Sequence, residues 1–278
     1  MSEPQTLSII GCGKVGQTLA RLWVQHQAIQ LRDILNTSIE SGTRAVAFIG
    51  AGRVASDYTD LQAAHIFLIA APDDQIAACC SALANSGRLS ADSIVFHCSG
   101  ALPSSILMDA SKHGAAVASI HPIRSFAVPE KVMADFAGTY CGVEGDQAAL
   151  AVLQPLFKAI GAQTVPIRGE DKVLYHAAAV FASNYLVTLM DTAVQAYGKA
   201  GIPPEIALKM MASLVRETSE NVLQIGPEHA LTGPIARGDV ATVIKQYRAV
   251  YDWDKRYGKL YKQMGKLTAQ LALRRTRK

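Results

Sequence analysis

The chain has 278 residues, half of them hydrophobic, enough for two domains of ordinary size and a substantial core. Its net charge of +4 is unevenly spread: residues 254–278 hold nine Lys/Arg and one Asp, and the other 253 residues carry −4. That basic end has no RNA-binding motif and reads as the solvated face of an amphipathic helix, so no nucleic-acid partner is expected.

Met1-Ser2-Glu3-Pro4 has no basic stretch ahead of an apolar run, and no run approaches ~18 uninterrupted apolar residues. No membrane partner is expected, and the expected location is cytoplasmic. The cysteines, Cys12, Cys79, Cys80, Cys98 and Cys141, are odd in number and lack ligand spacing. They read as reduced small residues, with no metal site.

In chain order, short β-like runs alternate with helical ones. Thr6–Ile10 predicts a strand, Lys14–Gln25 a helix, Ala28–Leu35 contains a second strand, and Ile39–Phe48 is helical. Strands follow at His65–Ala71, Ser93–Cys98 and Ala116–Ile120, then at Tyr140–Val143 and Thr164–Ile167, the last two flanking a helix over Gln147–Ile160. Asp171–Lys199 predicts one long helix closed by Gly201 and Pro203-Pro204, and Pro204–Leu223 a second. Gly226–Gly238 predicts a loop, with helices from Asp239 to the end. The expected organisation is an α/β domain over residues 1–168 and an all-helical domain over 169–278.

Gly11-Cys12-Gly13-Lys14-Val15-Gly16 fits G-x-G-x-x-G, follows a strand and opens a helix. That context makes it a dinucleotide signature. Gly11 allows the tight turn, Gly13 lets backbone approach a diphosphate, and Gly16 lets helix pack on strand. Lys14 and Val15 then sit at the helix N-terminus, where an anion binds. The expected fold is a doubly wound, mostly parallel Rossmann-type sheet followed by helices. Where an acid would hold the ribose of NAD stand Asn36, Thr37 and Ser38. Their neutrality favours NADP over NAD.

Further along, Ala71 and Pro72 end one strand, and Ser99 and Gly100 follow another. Such strand ends meet a ligand in an open α/β sheet, with Ser99 and Gly100 at the nicotinamide end. Asp73 and Asp74 read as helix caps or ligand contacts. His121 precedes Pro122 and is held extended, a way to aim an imidazole as proton donor or substrate ligand. Lys172, His176, Val180 and Asn184 recur every four residues on one helix face, so His176 and Asn184 could bracket a small substrate. Arg237, just before the N-cap residue Asp239, could clamp an anionic group.

The glycine loop, Ala71-Pro72-Asp73-Asp74, His97-Cys98-Ser99-Gly100, His121-Pro122-Ile123-Arg124-Ser125-Phe126, Tyr175-His176-Ala177-Ala178-Ala179, Ala182-Ser183-Asn184 and Leu231-Thr232-Gly233-Pro234 run the length of the chain. Together they resemble NADP-dependent oxidoreductases that join a Rossmann-like N-terminal domain to a helical C-terminal domain of unknown function. The likeness is looser to ketopantoate reductase, pyrroline-5-carboxylate reductase and β-hydroxyacid dehydrogenases. That wider resemblance implies a catalytic lysine with asparagines one and two turns later, at positions held here by His176, Val180 and Asn184.

The resulting expectation is an enzyme moving a hydride between NADP(H) and a small carbonyl or imine compound, neutral or anionic, in an interdomain cleft. His121 or His176 would exchange the proton, Asn184 would orient the substrate and Arg237 would hold its charge. The alternatives are a non-catalytic NADP(H)-binding redox sensor or scaffold, and a hydride enzyme with another carrier such as a deazaflavin. The alanine-rich long helix suggests a homodimer.

Overall fold

The computed structural model describes residues 5–275. Eight strands form one sheet in the order β3-β2-β1-β4-β5-β6-β7-β8. They are β1 (Gln5–Ile10), β2 (Ile29–Leu35), β3 (Arg53–Ala55), β4 (Ile66–Ile69), β5 (Ile94–His97), β6 (Ala116–Pro122), β7 (Tyr140–Gly145) and β8 (Gln163–Pro166). Every residue of β4 and β5 is buried, the near-continuous burial expected of strands covered on both faces. The helices of this part are α1 (Lys14–Gln25), α2 (Ile39–Ile49), α3 (Ile76–Asn85), α4 (Met108–Lys112), α5 (Pro129–Ala134) and α6 (Gln147–Ala159).

The pairings among β1 to β6 are parallel, whereas β7 runs antiparallel to β6 with His121 opposite Gly142. Only the six-residue α5 lies between them. Antiparallel neighbours need no helical crossover, which fits so short a link. One core face centres on Trp23, whose ring meets Phe157 edge-on at 5.2 Å between centroids and Phe96 at 6.5 Å. Its indole N–H donates to the Leu156 carbonyl at 3.0 Å, so burial leaves no polar atom of this ring unpaired. Truncating Phe157 to Ala would cost about 3–5 kcal/mol.

The remaining helices are α7 (Lys172–Ala182), α8 (Asn184–Lys199), α9 (Pro204–Ala230), α10 (Val240–Trp253) and α11 (Lys255–Arg275). The single helix expected over Asp171–Lys199 is broken at Ser183, where φ is −124° and ψ −73°. The Ser183 hydroxyl donates to the Asn184 side-chain oxygen at 3.0 Å, the local side-chain bonding that competes with helix. The loop expected from Gly226 begins later. The backbone leaves the helix at Gly226 alone (φ 78°), and Pro227 restarts a last turn to Ala230. By length and composition the stretch 169–199 is apolar enough to cross a membrane.

Two compact units divide between Val180 and Phe181. In the second, Ala207, Met211 and Gly258 are the buried residues among those described. Large apolar side chains such as Leu223, 85% exposed, stand open on its surface.

Candidate active site

The glycine turn shows what each glycine is for. Gly11 adopts φ +74°, and a Cβ there would lie 2.7 Å from the Ala71 backbone. At Gly16 a Cβ would press on Ala70 at 3.2 Å, so helix and sheet touch through the missing side chain. At Gly13 it would meet nothing nearer than the Gly11 carbonyl at 4.0 Å. This is the open backbone face a diphosphate needs. No side chain caps α1, so the first-turn N–H groups of Lys14, Val15 and Gly16 have no intrahelical acceptor and face an incoming anion. Lys14 itself reaches away, its ammonium donating to the Ala127 carbonyl at 2.7 Å.

At the end of β2, Asn36 turns back into the loop. Its side-chain oxygen accepts the Cys12 N–H at 2.6 Å. Thr37 and Ser38 are exposed, and Ser38 caps α2 by accepting the Ser41 N–H at 3.2 Å. Asp33, the acid nearest the ribose position in sequence, is fully buried and held by Arg53 Nε at 2.8 Å and the Gln62 N–H at 2.6 Å. It cannot serve a ribose. Glu40, in the first turn of α2, is drawn to Arg44. The end of β2 therefore offers hydroxyls at a helix N-terminus, a setting that favours an anion.

β4 ends at Ile69, two residues short of the expected Ala71, and Ala71 and the exposed Pro72 follow after Ala70, with Ala71 packed over Gly11. Asp73 opens a short 3₁₀ turn and also accepts the Ser99 hydroxyl at 2.8 Å. Ser99 Oγ in turn accepts the N–H groups of Ala101 and Leu102, at 3.2 and 3.0 Å. The Ser99 side chain thus shapes its own loop. His97 is equally committed: Nδ1 accepts the Ser99 N–H and Nε2–H donates to the Pro103 carbonyl. Burial holds its pKa down at about 3, so it is a neutral structural ring.

Around Gly100 the polar groups converge. A Cβ on Gly100 would lie 2.5 Å from His176 Nδ1 and 2.8 Å from His121 Cε1 and Nε2. Glycine alone lets both rings lie against this strand end. The two imidazoles meet edge-on with centroids 5.8 Å apart, and His121 meets the Tyr175 ring at 5.6 Å. Tyr175 O–H lies 3.0 Å from His121 Nδ1. Burial, with the nearby His176 and Lys172, depresses the His121 pKa to about 4. His176 Nδ1 is sealed from solvent without a hydrogen-bond partner.

Beneath them lies Lys172, fully buried at the first turn of α7. Its ammonium donates to the Ser99 carbonyl at 2.8 Å and to the Ser119 hydroxyl, with the Glu144 carboxylate 3.8 Å away. Glu144 also accepts the N–H and hydroxyl of Ser104, at 2.6 and 2.7 Å. Burial lowers the Lys172 pKa to about 8, against the upward pull of Glu144. One cation thus ties α7 to the loop after β5, to the middle of β6 and to β7.

Residues 3–122 match the family model of a Rossmann-like domain, and residues 139–268 match that of a domain of unknown function, DUF2520. The chain is thus similar to a Rossmann-like domain over its first part and to DUF2520 over most of the rest. Protein TM1727 from Thermotoga maritima is similar over 96% of this chain and 98% of its own, at 29% identity and a TM-score of 0.74. A protein of Bacteroides fragilis, BF3122, described as a candidate NADP oxidoreductase, is 18% identical over 96% and 99%, with a TM-score of 0.75. An imine reductase from Myxococcus stipitatus, solved with NADP+, is 14% identical over 95% and 93%, with a TM-score of 0.64. These last two show a shared fold. Among curated proteins no sequence matches.

The glycine turn, Gly100 and His121 fall within the Rossmann-like match, whereas Glu144, Lys172, Tyr175 and His176 fall within the DUF2520 match. Asn184 opens α8, and Arg237 is exposed in the loop before α10, where Asp239 caps Thr242 N–H at 3.1 Å. Both belong to the second compact unit. Sequence reasoning placed Lys172 on the same face as His176 but gave it no role, and it passed over Tyr175 and Glu144. The Lys-x-x-Tyr-His spacing was the available signal, since positions three and four apart share a helix face.

Proposed function

We propose that this chain is an NADP(H)-dependent oxidoreductase that moves a hydride between the nicotinamide and the carbonyl or imine carbon of a small molecule. The observation that carries this reading is His121, placed beyond the glycine turn at the end of β6. Its Nδ1 is held by Tyr175, and its Nε2 has no partner among the described residues and, unlike His176 Nδ1, is not sealed from solvent. The reduced cofactor supplies the hydride when bound. Gly11, Gly13 and Gly16 admit its diphosphate to the α1 N-terminus, and Thr37 and Ser38 receive the 2′-phosphate. Gly100 keeps both histidines close to the nicotinamide end, and His121 Nε2 exchanges the proton. The similar fold of an imine reductase that binds NADP+ supports this assignment.

Titrating the full chain with NADPH and NADH by fluorescence, then following NADPH oxidation across small oxoacids and cyclic imines, tests the reading. Tighter binding of NADPH and turnover of at least one compound are expected. Tight binding with no oxidation across the panel would favour a redox sensor or scaffold instead.

We also propose that the second unit pairs with a second copy of the chain. Exposed Leu214, Leu223, Leu267 and Leu273 are more apolar surface than a monomer of this size ordinarily leaves open. Light scattering at micromolar concentration is expected to give twice the chain mass. The apolar stretch 169–199 is then assigned to protein contacts and the chain to the cytoplasm; recovery in the membrane fraction would overturn this.

A further inference from the structure

We propose that Tyr175 is the positioning residue that makes His121 a proton donor, fixing its tautomer and reloading it during turnover. The inference rests on the reductase reading for its second half only. Tyr175 sits on α7, three residues after the buried Lys172, so the anchor that ties α7 to the sheet also aims the phenol. Its ring enters where β7 has no side chain: a Cβ at Gly142 would lie 2.5 Å from the hydroxyl oxygen. Among the described residues His121 Nδ1 is the one hydrogen-bond partner of that oxygen, and the phenol pKa is raised to about 12, chiefly by burial. The group is therefore a phenol, and its proton has one acceptor among the described residues. It points to His121 Nδ1, 3.0 Å away. An Nδ1 that accepts leaves the ring proton on Nε2, the nitrogen without a protein partner.

This arrangement resolves a difficulty. Imidazolium is the usual histidine acid, yet burial, with His176 and Lys172 close by, keeps His121 neutral near pH 7. A neutral ring can give up its Nε2 proton if Nδ1 receives another at the same time. As the carbonyl carbon takes up the hydride, the C=O π bond opens onto oxygen and that oxygen takes the Nε2 proton. The phenol passes its proton to Nδ1, and the donor is restored when Nε2 takes a proton from solvent and Nδ1 returns its own to the phenolate oxygen. An alkoxide is a stronger base than a phenolate, so the transfer runs downhill. His176 does not compete for the phenol, because its Nδ1 is packed against Gly100 without a partner.

Two-bond ¹H–¹⁵N spectra of the histidine-labelled full chain, assigned with His121→Gln, test the first half without any reaction. The wild-type ring is expected as the Nε2–H tautomer at pH 7, with and without NADPH, and Tyr175→Phe is expected to give a tautomer mixture. A wild-type Nδ1–H tautomer overturns the proposal whatever the fate of the variant, as does an unchanged spectrum in a folded Tyr175→Phe. For the second half, the panel compound that oxidises NADPH fastest is used with both proteins. Tyr175→Phe is expected to lower kcat by about 10²-fold with little change in KM. An unchanged kcat overturns the relay. Absence of turnover in the wild type overturns the reductase reading and with it the relay, leaving the tautomer result to decide the positioning role.

Discussion

The side-chain oxygen of Asn36 accepts the Cys12 N–H at 2.6 Å, so the end of β2 clamps the glycine turn that follows β1. Replacing Asn36 with Ala orphans that N–H, a change worth about 1–3 kcal/mol. NADPH binding is expected to weaken by roughly tenfold while the circular dichroism spectrum is kept. An unchanged affinity by calorimetry would show that the turn holds its shape unaided.

Ser38 both caps α2 and stands exposed beside the proposed 2′-phosphate position. Asp is as good a cap, so Ser38→Asp should leave the helix intact and add only a negative charge. The ratio of NADPH to NADH affinity is expected to fall by about tenfold or more, read from paired titrations.

Gly100→Ala would place a methyl 2.5 Å from His176 Nδ1. Both imidazoles must move, at a cost of about 1–3 kcal/mol typical of overpacking. A lowered Tm with shifted His121 and His176 resonances is expected. Gly198→Ala is the matched control: its Cβ would meet nothing within 4 Å in the last turn of α8, and it is expected to raise Tm slightly.

Lys172→Met removes a buried cation and leaves Glu144 without one, a loss of about 3–5 kcal/mol. Adding Glu144→Gln should recover part of it. The pH dependence has a definite sign. Folding lowers the Lys172 pKa from 10.5 to about 8, so between these values the unfolded chain binds more protons. The contribution of Lys172 to stability therefore rises with pH over that window. Denaturant midpoints measured from pH 7.5 to 10.5 are expected to climb in the wild type relative to Lys172→Met, and parallel curves would refute the buried, depressed lysine.

The sheet was legible because burial on both faces leaves near-continuous apolar runs, as at Ile66–Ile69, and because the glycine spacing marks where a strand gives way to a helix. The three-residue β3 escaped notice because it is too short to show periodicity. The break at Ser183 was hidden by apolar neighbours on both sides, since the competing bond is local to one hydroxyl. His121 could be singled out from its proline neighbour. Its partner Tyr175 could not, because the pairing spans 54 positions and depends on Gly142 leaving room on β7.

Lys172 and, one turn on, Tyr175 and His176 project from the same side of α7, each held to a different feature of the sheet and its loops. An α-helix turns by about 100° per residue. Inserting or deleting a single residue between Gly169 and Lys172 would therefore carry all three side chains off the sheet together. Point substitutions can erode this site by degrees, but a change of length there abolishes it at once. The short 3₁₀ turn at Gly169–Asp171 should consequently be the least length-tolerant connection in the chain.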